Sequence, residues 1–257
     1  MKIVLAYFYP ELLNLYGDNG NVEILSQRSF LRNIEVELLR ISPDTRVDSM
    51  LMAHVNLVFM GGGPDSSQKS MYEDLLKNKG PYLKDYIEGE GTGLFICGSY
   101  QLLGHYYKAA DGTILNGAGI FDLYTEHFGE RKPRCIGNTV AELSSDILGD
   151  QIFKNVNKLG DTLVGFENHG GRTYLGAELR PLAKVLTGYG NNAEDNTEGA
   201  VFKNSYGTYF HGPLLARNPH FADYLIAKAL KISGEELKAL DDTLIHSAHT
   251  ASKKLKQ

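Results

Sequence analysis

Cys97 lies in the segment 93–101, GLFICGSYQ, where an apolar run ends in small residues before a helix-like pattern resumes. A cysteine at such a strand-to-helix turn projects from the edge of a sheet, and Gly98 permits the tight backbone. The amides that open the following helix favour a thiolate and can bind an oxyanion. Cys97 is therefore a candidate nucleophile for acyl transfer. The alternative is a buried cysteine that packs as a small apolar residue.

His211 ends a second strand-like segment, 207–213, with the sequence GTYFHGP. Its alternating apolar residues predict a strand that stops near the histidine. Ligands of open α/β sheets bind beyond the carboxyl ends of the strands, where the ends of different strands meet. We therefore predict that Cys97 and His211 come together as a nucleophile and its base.

Three consecutive glycines, 61–63, follow another apolar run. They lack both the Lys-Ser/Thr ending of a P-loop and the spacing of a dinucleotide-binding fingerprint. Backbone amides without side chains can approach a tetrahedral intermediate closely, so we predict that Gly62, Gly63 and Gly98 donate to an oxyanion. A tight turn without chemistry is the alternative for the glycine run.

Three further polar segments are candidates for functional roles. His169, within 165–174 (GFENHGGRTY), is a rival catalytic base, although a histidine in such a loop more often fixes the loop itself. Arg131 or Arg134 offers a guanidinium that grips an α-carboxylate bidentately, with a solvated surface position as the alternative. The acidic loop 190–199 is either a rim or docking surface, or a solvated turn.

Strands and helices alternate through the first hundred residues. Apolar runs predict strands at 2–8, 34–41 and 55–60, and helical periodicity predicts helices at 21–33 and 68–88. This alternation is typical of βαβ units and a doubly wound parallel sheet.

The pattern changes after Tyr107. Short alternating runs, such as 135–143 and 162–166, predict an antiparallel region that covers one edge of the sheet. Residues 219–232 are expected to form a closing helix, and the tail 233–257 contains a further helical stretch before a basic terminus.

Composition excludes several classes of function. The 257 residues are 42% hydrophobic and 22% charged, as in ordinary globular proteins, and a net charge of −5 argues against a nucleic-acid surface. The two cysteines and eight histidines lack metal-ligand spacing, so no metal site is expected. With no signal-peptide pattern at Met1 and few cysteines, we expect a cytoplasmic protein. No segment approaches the about 20 apolar residues of a membrane-spanning helix.

Four segments together closely resemble the GatD-like branch of class I glutamine amidotransferases, which is related to cobyric acid synthase. They are the glycine loop, the Ile-Cys-Gly turn, 165–174 and 207–213. The resemblance runs from about Lys2 to about Ile232, so it implies an amidotransferase (CobB/CobQ-like) domain at 1–232 and a C-terminal helical tail at 233–257. It also implies a flavodoxin-like three-layer α/β fold with a mostly parallel central sheet.

The same resemblance implies the glutaminase subunit of lipid II isoglutaminyl synthase, an enzyme of peptidoglycan biosynthesis. Cys97 would attack L-glutamine and form a thioester, His211 would act as base and then as proton donor, and Arg134 would hold the substrate. Ammonia would pass to a Mur-ligase-like (MurT-type) partner in a heterodimer. That partner, which would bind ATP and Mg²⁺, would convert D-glutamate of the lipid II stem peptide to D-isoglutamine. A lipid-linked acceptor would place this chemistry at the inner membrane face.

One position departs from the class I pattern: Pro213 stands where an acid two residues after His211 would complete a triad. Asp18 is a candidate for that acid because it follows the first strand, although a turn or helix-capping role is more usual, and the partner could also supply it. Three other functions stay open. They are an amidotransferase for another acceptor such as a corrinoid, a non-catalytic regulatory module, and a cysteine hydrolase that acts alone.

Overall fold

A six-stranded sheet forms the centre of the computed structural model, which describes residues 1–63 and 71–255. In spatial order its strands are β13 (Ala200–Phe202), β14 (Ser205–Thr208), β4 (Thr92–Ile96), β3 (Leu57–Met60), β1 (Lys2–Phe8) and β2 (Glu35–Ile41). Neighbouring strands are parallel except for the β13–β14 hairpin at one edge. The mostly parallel central sheet of an α/β fold is thereby confirmed.

The central strands read as continuous apolar runs because both of their faces are covered. Every residue of β3 and of β4 is buried, as is typical of strands inside a parallel sheet. In the register of the sheet, Phe8 pairs with Met60, Met60 with Phe95, and Ile96 with Thr208. The carboxyl ends of four strands therefore lie level with one another, and the segments that follow them meet at one edge.

Nine α-helices lie wholly within the described ranges, and several of them are a single turn. They are α1 (Asn19–Phe30), α2 (Ser49–Met52), α3 (Gly80–Glu88), α4 (Gly98–Leu102), α5 (Ser145–Gly149), α6 (Gln151–Val156), α7 (Leu214–Arg217), α8 (Pro219–Leu230) and α9 (Thr243–Ser252). Helix α8 packs on β1 and β4, and α1 packs on both α7 and α8.

Two predicted helices end earlier in the structure, the one at 21–33 and the one at 219–232, which stops at Leu230. Helix α1 begins two residues before the predicted start and ends at Phe30, because Asn33 takes a left-handed φ of 56° and turns the chain into β2. Of the helix predicted at 68–88, residues 68–70 lie outside the described residues. The described remainder is helical, with a wide π-turn at Leu75–Lys79 before α3.

Two four-stranded sheets flank the central one, and their neighbouring strands are antiparallel, as predicted, except for one parallel pair in the first sheet. This first sheet has the order β10 (Gly171–Leu175), β7 (Leu123–His127), β5 (Tyr106–Lys108) and β6 (Ile114–Asn116), and its parallel pair is β5 with β7. The other has the order β12 (Thr197–Glu198), β11 (Ala183–Thr187), β8 (Cys135–Leu143) and β9 (Thr162–His169). Strand β9 continues to His169, three residues beyond its predicted end, and is antiparallel to β8 throughout.

The C-terminal tail packs against the rest of the chain. The His249 ring in α9 lies 2.9 Å from the carbonyl oxygen of Arg217 and 3.1 Å from the hydroxyl of Thr162. Residues 256–257 lie outside the described residues, and the domain boundary at 232 stays a prediction. Across the described ranges, no helix combines the length and apolarity needed to span a bilayer.

Candidate active site

Cys97 directly follows β4 and precedes α4, at the carboxyl edge of the central sheet. Its backbone has φ 51° and ψ −106°, a strained conformation for a residue with a side chain. The left-handed dihedral is therefore on the cysteine itself and not on Gly98, where the sequence predicted the tight backbone. The Cys97 amide donates to the carbonyl of Thr208 at 2.8 Å, and the residue is 7% exposed. Such a strand-to-helix elbow presents a nucleophile at the edge of a sheet.

His211 lies just beyond the end of β14, and its backbone is bridged to Phe166 of β9. The amide of His211 donates to the Phe166 carbonyl at 2.7 Å, which fixes the histidine at the same edge as Cys97. Its ring is buried, and Nδ1 donates to Oδ1 of Asp18 at 3.0 Å. Nε2 has no hydrogen-bond partner among residues 1–63 and 71–255.

Asp18 is fully buried at the start of α1. One carboxylate oxygen accepts from His211, and the other accepts from the amide of Gly62 at 2.7 Å. Asp18 stands at the N-cap position of α1, but its side chain makes no capping hydrogen bond and is directed to His211 and Gly62 instead. A base whose far nitrogen is held by a buried carboxylate is the arrangement of a catalytic triad.

The proline at position 213 contributes to the position of Asp18. A Cβ added to Gly20 of α1 would lie 2.5 Å from Cγ of Pro213, so the start of the helix packs directly on the proline ring. The Asn21 side chain also accepts from the amide of Leu215 at 2.9 Å. The residue that replaces the expected acid therefore packs against the helix that carries Asp18.

Gly62 lies between the side chains of the site. A Cβ there would be 2.9 Å from Cε1 of His211, 3.1 Å from Cβ of Cys97 and 3.2 Å from Oδ2 of Asp18. Its amide, however, donates to Asp18, which corrects the prediction that Gly62 supplies an oxyanion donor. Gly63 and Gly98 remain as predicted donors.

The environment of His211 favours its protonated form. Burial opposes the charge, but the hydrogen bond with Asp18 and the interaction with Cys97 outweigh it and raise the pKa of His211 to about 10. At neutral pH the ring is therefore a positively charged imidazolium, with a proton on both nitrogens. An imidazolium next to a thiol is a recurrent way of activating a cysteine nucleophile.

Arg134 lies at the exposed rim, directly before β8. Its Nε and Nη2 donate to the side-chain oxygen of Asn168 at 3.0 Å and 2.9 Å, and Asn168 in turn donates to the hydroxyl of Tyr16 at 2.6 Å. The Tyr16 ring packs edge-on against His211. Arg131 donates instead to the carbonyl of Phe128 at 3.3 Å. Hydrogen bonds and a ring contact thus link Arg134 to the triad.

His169 is buried, and its Nδ1 donates to the carbonyl of Gly171 at 2.8 Å. Its ring stacks on Tyr209 with centroids 3.7 Å apart. Burial lowers the pKa of His169, so the ring stays neutral. These contacts correspond to the loop-fixing alternative for His169.

The acidic loop 190–199 is anchored at its start by Glu167. This buried carboxylate accepts from the amides of Tyr189 and Gly190 at 2.6 Å and 2.9 Å. Asn191 and Asn192 of the loop are buried. The loop is thus anchored to the rest of the protein at its first residues. Its role as a docking surface stays a prediction.

Sequence reasoning missed Tyr16 and Asn168. Asn168 lies in the candidate segment 165–174 and Tyr16 lies two residues before Asp18, but neither residue type by itself indicates a role beside a cysteine nucleophile. The described ranges also contain no group of three or more His, Cys, Asp or Glu side chains that would hold a metal ion.

The chain is similar to known glutamine amidotransferases in sequence and in fold. Residues 4–219 match the family model of the CobB/CobQ-like glutamine amidotransferase domain. The lipid II isoglutaminyl synthase (glutamine-hydrolyzing) subunit GatD of Staphylococcus aureus is 42% identical over 91% of this chain and 86% of its own length. Its Streptococcus pneumoniae counterpart is 35% identical over 90% and 81%. A glutamine amidotransferase structure from Thermotoga maritima superposes with a TM-score of 0.56 at 18% identity, covering 98% of this chain and 92% of that one.

Proposed function

Since this chain belongs to the CobB/CobQ-like glutamine amidotransferase family, we propose that it is the glutaminase subunit of a lipid II isoglutaminyl synthase. It hydrolyses L-glutamine to L-glutamate and ammonia. The observation that carries this proposal is the meeting of Cys97 and His211 at the carboxyl edge of one sheet, with Asp18 bonded to the far nitrogen of the imidazole. The relatives that bear this name extend over almost the whole chain, which supports the choice of acceptor pathway.

The reaction begins when the Cys97 thiolate attacks the side-chain amide carbon of glutamine. The tetrahedral oxyanion is stabilised by backbone amides, for which Gly63 and Gly98 are our candidates. His211 donates its proton to the departing nitrogen, so that ammonia leaves and a thioester remains. His211 then takes a proton from water, and the resulting hydroxide cleaves the thioester. Glutamate is released, the thiolate is restored and the imidazolium is regenerated.

Asp18 orients the base in this scheme. Its carboxylate accepts the Nδ1 proton of His211, which leaves Nε2 to exchange protons with substrate and water. Because Asp18 belongs to this chain, the triad needs no acid from a partner. Arg134 at the rim binds the α-carboxylate of glutamine, since a guanidinium matches a carboxylate in geometry and charge.

Ammonia passes to a Mur-ligase-like (MurT-type) partner with which this chain forms a heterodimer. We assign ATP and Mg²⁺ to that partner, which activates the α-carboxylate of D-glutamate in the lipid II stem peptide and forms D-isoglutamine. The lipid-linked acceptor places the heterodimer on the cytoplasmic face of the membrane.

The decisive experiment is mass spectrometry after exposure to a diazo-ketone analogue of glutamine. We expect one adduct on Cys97 and none on the buried Cys135, which serves as an internal control, and no adduct in Cys97→Ala. Labelling only in the presence of the partner would mean that assembly completes the site. The absence of an adduct in both states would refute the glutaminase proposal.

A second assay separates catalysis from regulation. With the partner, ATP and lipid II, the Cys97→Ala protein is expected to support amidation from ammonium chloride but not from glutamine. Amidation from glutamine by that variant would instead show that this chain is a non-catalytic module.

A further inference from the structure

The Tyr16 side chain joins the buried base to the exposed rim. Its ring centroid lies 4.9 Å from that of His211 and 6.0 Å from that of Phe166, in edge-on contacts at interplanar angles of 71° and 75°. Tyr16 is 43% exposed, whereas His211 is 1% exposed. The tyrosine thus covers one side of the catalytic imidazole and faces solvent with its other side.

Asn168 links this cover to the arginine at the rim. Its Nδ2 donates to the Tyr16 hydroxyl at 2.6 Å, and its Oδ1 accepts from Nε and Nη2 of Arg134 at 3.0 Å and 2.9 Å. The Asn168 carbonyl accepts from Nη2 as well, at 3.1 Å. One amide side chain therefore uses both its donor and its acceptor to connect Tyr16 with Arg134.

Both members of this link are held by their backbones. Asn168 is two residues from Phe166 in β9, so the two side chains lie on the same face of the strand. Tyr16 takes a φ of 55°, a left-handed conformation that is strained in a residue with a side chain and is concentrated at functional sites. Next to it, the Leu15 amide donates to the carbonyl of Gly62 at 3.0 Å. The Tyr16 loop is thereby tied to the glycine that lies between Cys97 and His211.

The chemistry of Asn168 suits an arginine that must bind an anion. A neutral amide oxygen fixes the Nε–Nη2 edge of the guanidinium without neutralising its charge. A carboxylate at position 168 would form an ion pair with Arg134 and compete with a negatively charged ligand. Position 168 therefore orients Arg134 and leaves its positive charge available.

We propose that Tyr16 and Asn168 are positioning residues, which form a latch that orients Arg134 toward the α-carboxylate of glutamine and holds the His211 ring. This inference rests on the proposed glutaminase function. Binding of the substrate carboxylate at Arg134 is coupled through the latch to the imidazole that exchanges the proton.

The test is calorimetric titration of L-glutamine into Cys97→Ala protein, which cannot turn the ligand over, alone and with the partner. In that background, Tyr16→Phe and Asn168→Ala are each expected to weaken binding about three- to tenfold, the effect of losing one hydrogen bond. Because both substitutions break the same hydrogen bond between Tyr16 and Asn168, the double variant should bind glutamine as tightly as the single variant that has the lower affinity. Tyr124→Phe, at a tyrosine of similar exposure (37%), is the matched control and should bind as the parent does.

A further variant, Asn168→Asp, tests whether the lack of charge at position 168 matters for binding. Asn168→Asp keeps the size of the side chain and an acceptor for Arg134, and a carboxylate can accept from the Tyr16 hydroxyl. It should nevertheless weaken glutamine binding more than Asn168→Ala does, while the thermal midpoint stays within a few degrees of the parent.

The outcomes separate the two hypotheses. Unchanged affinity in Tyr16→Phe and Asn168→Ala, with normal binding by the parent, would overturn the latch alone. Additive losses in the double variant, or binding by Asn168→Asp equal to that of the parent, would also overturn it. A parent that binds no glutamine, alone or with the partner, would overturn the proposed function together with the latch.

Discussion

Oδ1 of Asp18 lies 3.0 Å from Nδ1 of His211, although 193 residues separate them along the chain. The second oxygen of the same carboxylate accepts from Gly62, the glycine that fits between His211 and Cys97. One buried acid therefore orients the base and anchors the glycine loop. Segments from both ends of the chain must be folded together before the cysteine site is complete.

Replacement of Asp18 by Asn tests the orienting role. The amide oxygen can still accept from Gly62, but the carboxylate that fixes the Nδ1 proton of His211 is lost. We expect kcat for glutamine hydrolysis to fall by about 10²- to 10⁴-fold, as for orienting acids in other triads. KM should change little, because substrate is held at Arg134. Steady-state kinetics would show this, and an unchanged kcat would mean that another group orients the base.

Gly62→Ala is expected to disrupt the site without unfolding the protein. The added methyl group would lie 2.9 Å from Cε1 of His211 and 3.1 Å from Cβ of Cys97. Displacement of catalytic groups by about 1 Å costs on the order of 10²-fold in rate. Gly149→Ala is the control, because a Cβ there meets nothing within 4 Å. Equal activity of the two variants in a glutaminase assay would contradict the tight fit at Gly62.

The raised pKa of His211 predicts a particular dependence of stability on pH. Folding raises this pKa from 6.5 to about 10, so the protonated ring contributes stability in full below pH 6.5. That contribution is lost as the pH rises from 6.5 through about 10. Since Cys97 helps to raise the pKa, Cys97→Ala should flatten the fall in unfolding free energy over this range. Urea denaturation at several pH values measures it, and an NMR titration that places His211 near 6.5 would refute it.

Arg134→Lys is expected to raise KM for glutamine by about tenfold with little change in kcat. A lysine keeps the charge but cannot offer the planar, paired donors of a guanidinium. The matched control is Arg131→Lys, since Arg131 is exposed and donates to the backbone carbonyl of Phe128. An equal rise in KM for both variants would show that the two arginines share the substrate.

The buried ion pairs of Asp223 with Arg28 and Arg32 predict a large loss of stability when Asp223 is replaced. Asp223 accepts from Arg28 at 2.7 Å and from Arg32 at 2.7 Å, and all three side chains are at most 9% exposed. Asp223→Ala takes the carboxylate away from the buried guanidinium of Arg32, whereas Arg28 keeps Asp242 at 2.7 Å. The free energy of unfolding should therefore fall by about 3–5 kcal/mol. At the exposed pair of Asp146 and Arg180, Asp146→Ala should cost less than about 1 kcal/mol. Urea denaturation compares the two, and similar losses would contradict the difference in burial.

The parallel sheet and the nucleophile follow from local patterns in the sequence. The apolar run before Cys97 and the small residues after it predict a strand that ends at the cysteine, and β4 ends one residue before it. The predicted strand 2–8 coincides with β1. Helix ends were less predictable, because the end of α1 depends on the turn at Asn33.

The sequence by itself determined that Cys97 and His211 meet, because parallel neighbouring strands bring their carboxyl ends to one edge wherever the loops between them run. Only the tertiary structure decided which acid completes the pair. Asp18 reaches His211 because α1 packs through Gly20 on Pro213, a contact between residues that no local pattern connects. The same packing gives the Gly62 amide to Asp18 instead of to an oxyanion, and it places the Tyr16 ring against His211. Strand ends are set by short-range propensity, whereas these contacts depend on how distant segments fill the same space.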